Sequence, residues 1–255
     1  MATSRIDSAT QGAIKPYRST AIVVGVVYLL GFVVGLGGEG LIQSILGAPD
    51  RLSSVATNST MLAVGAVLWL MAVIGDAAHG VLMFPVLRQH SERAALGYLA
   101  ARIVDAAFIA LMVLFVLVQV ALGSEYLHAG PSDAFYLQAS SNVAEHASQS
   151  AYQIGMSALS VSGVILCYTL YRARLVPRFV AVWGLLGYAV IFVGMLSEIL
   201  GSGLGLASSI PGGLWEVFMG VWLIVKGFSG STAPSERTVP LTATLAVPEA
   251  VSATA

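Results

Sequence analysis

The chain has 255 residues, of which 57% are hydrophobic and only 10% charged, with a mean hydropathy of +0.85. A soluble domain of this length carries charge on roughly 25% of its residues, because most of its surface faces water. A net charge of −1, the apolar excess and a single cysteine exclude a nucleic-acid binder, a disordered chain and a disulfide framework, leaving an all-α polytopic membrane protein.

A membrane-crossing helix needs about 20 predominantly apolar residues, since the bilayer offers no partners for backbone N–H and C=O groups. After an N-terminal segment, 1–18, apolar runs predict spans at about 19–40, 59–87, 94–123, 147–171, 179–201 and 204–228. The result is a bundle of six transmembrane helices. The stretch 123–146 reads as a long outer loop, and Pro211-Gly212-Gly213 is predicted to break the outer third of the last span. The Ser-, Thr-, Ala- and Pro-rich tail 229–255 has no hydrophobic period and is predicted to be disordered.

Lys and Arg collect in cytoplasmic loops. Arg5, Lys15 and Arg18 precede span one, Arg88 and Arg93 follow span two, Arg172, Arg174 and Arg178 follow span four, and Lys226 and Arg237 follow span six. Both termini are therefore predicted to be cytoplasmic in a multi-pass protein of the inner (cytoplasmic) cell membrane. Only Arg51 falls on the opposite side. The apolar run after the first basic residues is longer than a signal-peptide core and reads as an uncleaved helix.

Several motifs carry less than they suggest. Gly35-Leu-Gly37-Gly38-Glu39-Gly40 has G-x-G-x-x-G spacing but ends a membrane helix, whereas dinucleotide binding needs a strand before it and a helix after it. Gly31-Phe-Val-Val-Gly35 has the small-xxx-small spacing of helix contacts, and Cys167 reads as a small buried hydrophobe.

Ionisable residues inside spans are costly, about 2.5 to 3.5 kcal/mol each on insertion scales, and need explanation. At 1.5 Å per residue from the nearest cytoplasmic arginines, Asp76 and Asp105 both lie about 18 Å deep, and His79 and Arg102 about 14 Å. Asp76 and His79 are spaced i, i+3, as are Arg102 and Asp105, so each pair shares a helix face. If these faces meet, Arg102 can bridge both aspartates. Glu216, about 15 Å deep, lies level with them. Three carboxylates against one guanidinium leave an acidic excess, so some hold protons, or water or a cation enters. Glu39 and Glu198 fall about 30 Å up, at the outer boundary. Glu145 and His146 are read as loop residues opening span four, with Gln149 and Gln153 continuing a polar face.

The run Val27-Tyr28-Leu29-Leu30 leading through Gly35 to Glu39, Asp76 ahead of Pro85-Val-Leu-Arg88, Arg102 with an acid three residues on, Arg174-Leu-Val-Pro177-Arg178, and Glu216 before Trp222-Leu-Ile-Val-Lys226-Gly227 resemble a bacterial membrane family known as domain of unknown function 4386. The resemblance spans about residues 19–228 and implies a six-helix integral membrane protein. It places Glu39, Asp76, Arg102 and Glu216 on family polar positions, with Asp105 where the pattern has a longer Glu or Gln.

The first functional expectation is a membrane protein that binds or passes a small solute or proton through Asp76, His79, Arg102, Asp105 and Glu216, with Glu39, Glu198 and His146 as outer candidates. The alternative is a structural or regulatory subunit whose charges set helix register. A metal-dependent intramembrane hydrolase ranks below both: there are four histidines and neither an H-E-x-x-H nor a G-x-S-x-G motif. No cofactor, metal site or nucleic-acid partner is expected. The lipid bilayer is the expected partner, the small-molecule ligand is not named by the sequence, and six spans, few for a full transporter, leave room for a homodimer.

Overall fold

The computed structural model describes residues 3–203 and 205–229, with side chains described from Arg18 onward except at 204–206. The expected tail, apart from Ser229, lies outside the described residues, as do the side chains of residues 1–17, Arg5 and Lys15 among them. Among the described residues all regular structure is helical: α1 (Thr3–Leu46), α2 (Arg51–Thr57), α3 (Ser59–Arg88), α4 (Glu92–Tyr126), α5 (Pro131–Ala173), α6 (Arg178–Ile199) and α7 (Ile210–Val225), with a 3-10 turn at Gly205–Ser209 before α7. Five of these, and α7 taken with the end of the turn before it (Ala207–Val225), are long and apolar enough to cross a membrane; α2 is not.

Each spanning helix packs on its neighbours in the closed order α1–α3–α4–α5–α6–α7–α1. Every span thus has one face toward a shared interior and another toward lipid. The lipid-side faces carry exposed Leu30, Val33, Ile74, Val81, Leu186 and Val193, which a bilayer covers. One apolar cluster closes the basic end with a fully buried residue from each span, Ala21, Leu87, Ala95, Leu170, Val180 and Leu223, and continues along α6 as far as Met195. A second cluster, at the other end, draws on α1 to α5 only.

Local chemistry sets the boundaries. The Asp50 side chain accepts from Ser53 N–H at 3.4 Å to start α2, and Ser91 Oγ accepts from Ala94 N–H at 3.2 Å to start α4. Arg174 stops α5 in the left-handed conformation at φ 54°, and Leu175 N–H returns to Leu170 O at 3.1 Å. Arg18 donates to the carbonyls of Ile224 at 2.7 Å and Val225 at 3.2 Å, so it caps α7 and ties the basic end of α1 to it.

The structure corrects two expectations. The outer loop is mostly helix: α5 begins at Pro131, and Glu145 and His146 lie within it. Pro at the first turn lacks only an N–H that would have had no intrahelical partner, so it starts this helix readily. The same logic applies to Pro211, which opens α7 instead of breaking it. Gly212, next along, lets α7 approach α6 closely; a Cβ on Gly187 would stand 3.0 Å from Gly212 Cα.

Candidate functional site

Three layers of polar side chains occupy the interior above the apolar closure. The middle layer is the ion-pair set. Arg102, 2% exposed, donates from Nη1 to Asp76 Oδ1 at 2.7 Å, and the same nitrogen lies 3.6 Å from Asp105 Oδ2. The two aspartates and the arginine therefore meet as their depth and spacing predict. Asp105 is almost wholly buried, and its Oδ2 has an ionic neighbour but no hydrogen-bond donor. Glu216 reaches the same level from α7 but does not join Arg102. Its Oε1 accepts from the Tyr188 hydroxyl of α6 at 2.7 Å.

The layer below is aromatic. His79 is held by Tyr98 through its Nδ1, and Arg102 Nε donates to the same Tyr98 oxygen at 3.3 Å. Since the arginine can only donate, the sole acceptor available to the Tyr98 proton is His79 Nδ1. On that ground we assign the imidazole as the neutral tautomer with its proton on Nε2. That Nε2 is buried without a partner, and so is the hydroxyl of Tyr28, whose ring meets the imidazole edge-on with centroids 4.2 Å apart. Tyr28 also contacts Trp215 edge-on at 6.4 Å, and Trp215 contacts Tyr188 at 5.5 Å. These ring contacts join the His79–Tyr98–Arg102 arm to the Tyr188–Glu216 arm.

The layer above links α1, α3 and α5. Trp69 Nε1 donates to Glu39 Oε2 at 3.1 Å, Gln43 donates to the other carboxylate oxygen at 2.9 Å, and the Trp69 and Tyr152 rings meet edge-on at 6.4 Å. Glu39 thus joins the interior and is more than a solvated boundary residue. Glu198 and His146 are elsewhere: with Gln149, Ser150 and Gln153 they line a cleft of about 370 Å³ between α5 and α6. Glu145 pairs with Arg51, the one basic residue at that end, and Arg51 also donates to Asn142 at 3.2 Å. Among the described residues, no three His, Cys, Asp or Glu side chains converge to hold a metal ion.

Sequence reasoning missed the aromatic partners. Tyr98 had a usable signal, lying one turn before Arg102 on the same face. Tyr28, Trp69, Tyr152 and Tyr188 had none, because their roles depend on how different helices are rotated against one another.

A closed ring of apolar helices around a layered charged and aromatic interior defines a polytopic α-helical membrane protein with a buried polar network. More particularly, the chain belongs to the family described as Domain of unknown function (DUF4386), whose sequence profile matches residues 23–227. The matched stretch holds every member of the three layers. No curated protein and no solved structure matches the chain.

Proposed function

We propose that the protein binds or passes a proton or a small solute through this interior, using Asp76, Asp105 and Glu216 with Arg102 as fixed counter-charge. The observation that carries the reading is the charge balance. Asp76 and Asp105 share one guanidinium, and Glu216 at the same level is bonded to the Tyr188 hydroxyl, at a depth where an unpaired charge costs several kcal/mol, on the order of the 2.5–3.5 kcal/mol insertion cost. A proton or a small cation supplies the missing positive charge. His79 and Tyr98 lie one turn away as hydrogen-bonding partners for whatever enters.

The membrane orientation we favour places both termini in the cytoplasm of a cell bounded by this membrane. Arg18 against the end of α7 puts the two ends of the bundle on one face, the face that also carries Arg88 and Arg178, and basic residues mark the cytoplasmic side. Assembly as a homodimer fits the small number of spans.

The test is flux and ligand retention in proteoliposomes with and without a pH gradient. Asp76→Asn and Glu216→Gln abolish the response on this reading. The completeness of the Arg102–Asp76 pair favours a second reading, in which the charges only hold helix register. On that reading, replacing Arg102 and Asp76 together by apolar residues leaves function intact.

A further inference from the structure

We infer that the cleft between α5 and α6, at the Glu39 end of the bundle, holds the headgroup of a phospholipid carrying a primary ammonium. Glu198 is the counter-ion of the ammonium, and His146 and Gln153 serve the phosphate. This site lies apart from the charged interior, so it neither depends on the reading above nor supports it.

The cleft exists because two neighbouring helices end at different heights. α6 stops at Ile199, whereas α5 runs on past Gln153 and His146 to Pro131. On α5 the stripe that packs on α6 at Gly163, where a Cβ would overlap the Tyr188 ring, continues at helical spacing through Met156 to Gln153 and Gln149. As α6 ends, this stripe loses its cover: Gly163 is buried, Met156 and Gln153 are half-buried, and Gln149 is exposed. With His146, Glu198, Ile154 and Ile199 the two glutamines line the cleft of about 370 Å³.

Charge comes first. Glu198 is half-buried, and among the described residues its carboxylate has no ion-pair partner. Arg51, the one basic residue at this end, is committed to Glu145 and Asn142. A cation for Glu198 therefore has to come from outside the chain, and pairing lowers the cost of holding a charge against apolar walls. The other polar groups suit a phosphate beside that cation. Gln149 gives an amide N–H to Glu145 at 3.2 Å, which leaves its oxygen to accept from an ammonium, whereas the Gln153 amide and the His146 imidazole can donate to phosphate oxygens.

Height and surroundings point to a lipid as the carrier. At 1.5 Å per residue, Gln153 stands about 28 Å and His146 about 39 Å from Arg172, and Glu198 about 30 Å from Arg178. The headgroup zone begins at the roughly 30 Å hydrocarbon thickness and is about 5–8 Å deep on each side, so the cleft spans it. Ile154 and Ile199 on the cleft walls are exposed, and exposed Val161 and Val193 continue an apolar surface toward the hydrocarbon, where acyl chains lie. Selectivity follows from the carboxylate. An anionic headgroup brings no cation to Glu198 and sets its phosphate against it, and a trimethylammonium brings charge but no N–H for Glu198 and Gln149.

Native mass spectrometry of the full chain in mild detergent, titrated with phosphatidylethanolamine, phosphatidylcholine or phosphatidylglycerol of identical acyl chains, reads the site directly. We expect phosphatidylethanolamine to be retained about five-fold over phosphatidylglycerol, with phosphatidylcholine between them. Glu198→Gln brings that ratio to within about two-fold. Gln153→Leu, on the other helix, lowers retention of phosphatidylethanolamine about three-fold and keeps the site testable if the first variant fails to fold. Glu125→Gln, at an exposed carboxylate beyond the cleft, leaves the ratio unchanged. Equal retention of the three lipids, or a preference that survives both cleft substitutions, overturns the inference. Displacement of the lipid by an equal concentration of O-phosphoethanolamine overturns the lipid assignment and makes the cleft a site for a soluble ammonium compound.

Discussion

Arg102 Nη1 lies 2.7 Å from Asp76 Oδ1, so the basic residue buried in α4 is neutralised across the helix interface by a carboxylate of α3. Its second acid, Asp105, comes from its own helix at 3.6 Å. The interhelical pair ties α3 to α4, whereas the intrahelical pair offsets charge without constraining packing.

That difference sets the effect of single and double substitutions. Arg102→Met leaves two carboxylates without their cation and is expected to destabilise the protein by about 3–5 kcal/mol, as when one partner of a buried pair is removed. Arg102→Met with Asp76→Leu recovers a large part of that loss. Reversible unfolding in mixed detergent micelles measures both; equal destabilisation by the single and double variants contradicts the assignment.

Tyr98→Phe removes the oxygen that serves His79 and Arg102 together. The expected destabilisation is about 1–3 kcal/mol, because a buried acceptor and a buried donor each lose a partner. Nitrogen NMR of labelled histidine gives an independent reading: the native protein shows His79 protonated on Nε2, and the variant loses that tautomeric preference. A native His79 protonated on Nδ1 would refute the hydrogen-bond assignment.

Gly163 and Gly31 form a matched contrast. A Cβ at Gly163 overlaps the ring of Tyr188, which holds Glu216, whereas a Cβ at Gly31 meets nothing within 4 Å. Gly163→Ala is expected to cost about 1–3 kcal/mol as overpacking and to disturb Glu216. Gly31→Ala leaves the folded monomer unchanged, so a large effect of Gly31→Ala on self-association in a native mass measurement would locate a contact between copies on that face.

Arg51→Ala removes the Arg51–Glu145 pair, in which both side chains remain about a quarter exposed. Such a pair contributes roughly 0–1 kcal/mol and is weakened by salt. A small, salt-sensitive loss of stability with unchanged flux is the expected outcome. Loss of flux would place Arg51 in the functional machinery.

Much of this architecture is written in the order of residues because the bilayer permits little else. Lengths of apolar sequence demanded six crossings, and the level of Asp76, Arg102 and Asp105 followed from constant helical rise. Composition was a poor guide where a helix projects beyond hydrocarbon. Residues 131–146 are polar enough to read as a loop, yet they continue α5, docking on α4 where Gln119 Nε2 donates to Ser141 O at 2.9 Å. Only the tertiary structure decided which faces meet. The sequence placed Glu216 at the right depth, but the rotation of α7 against α6 hands it to Tyr188 and not to Arg102. Glu39 likewise reads as a solvated boundary residue until α1 packs on α3 and brings it to Trp69. Depth is set along one helix axis and is legible locally; azimuth is set by packing among six helices, so the polar partners appear only once the ring is closed.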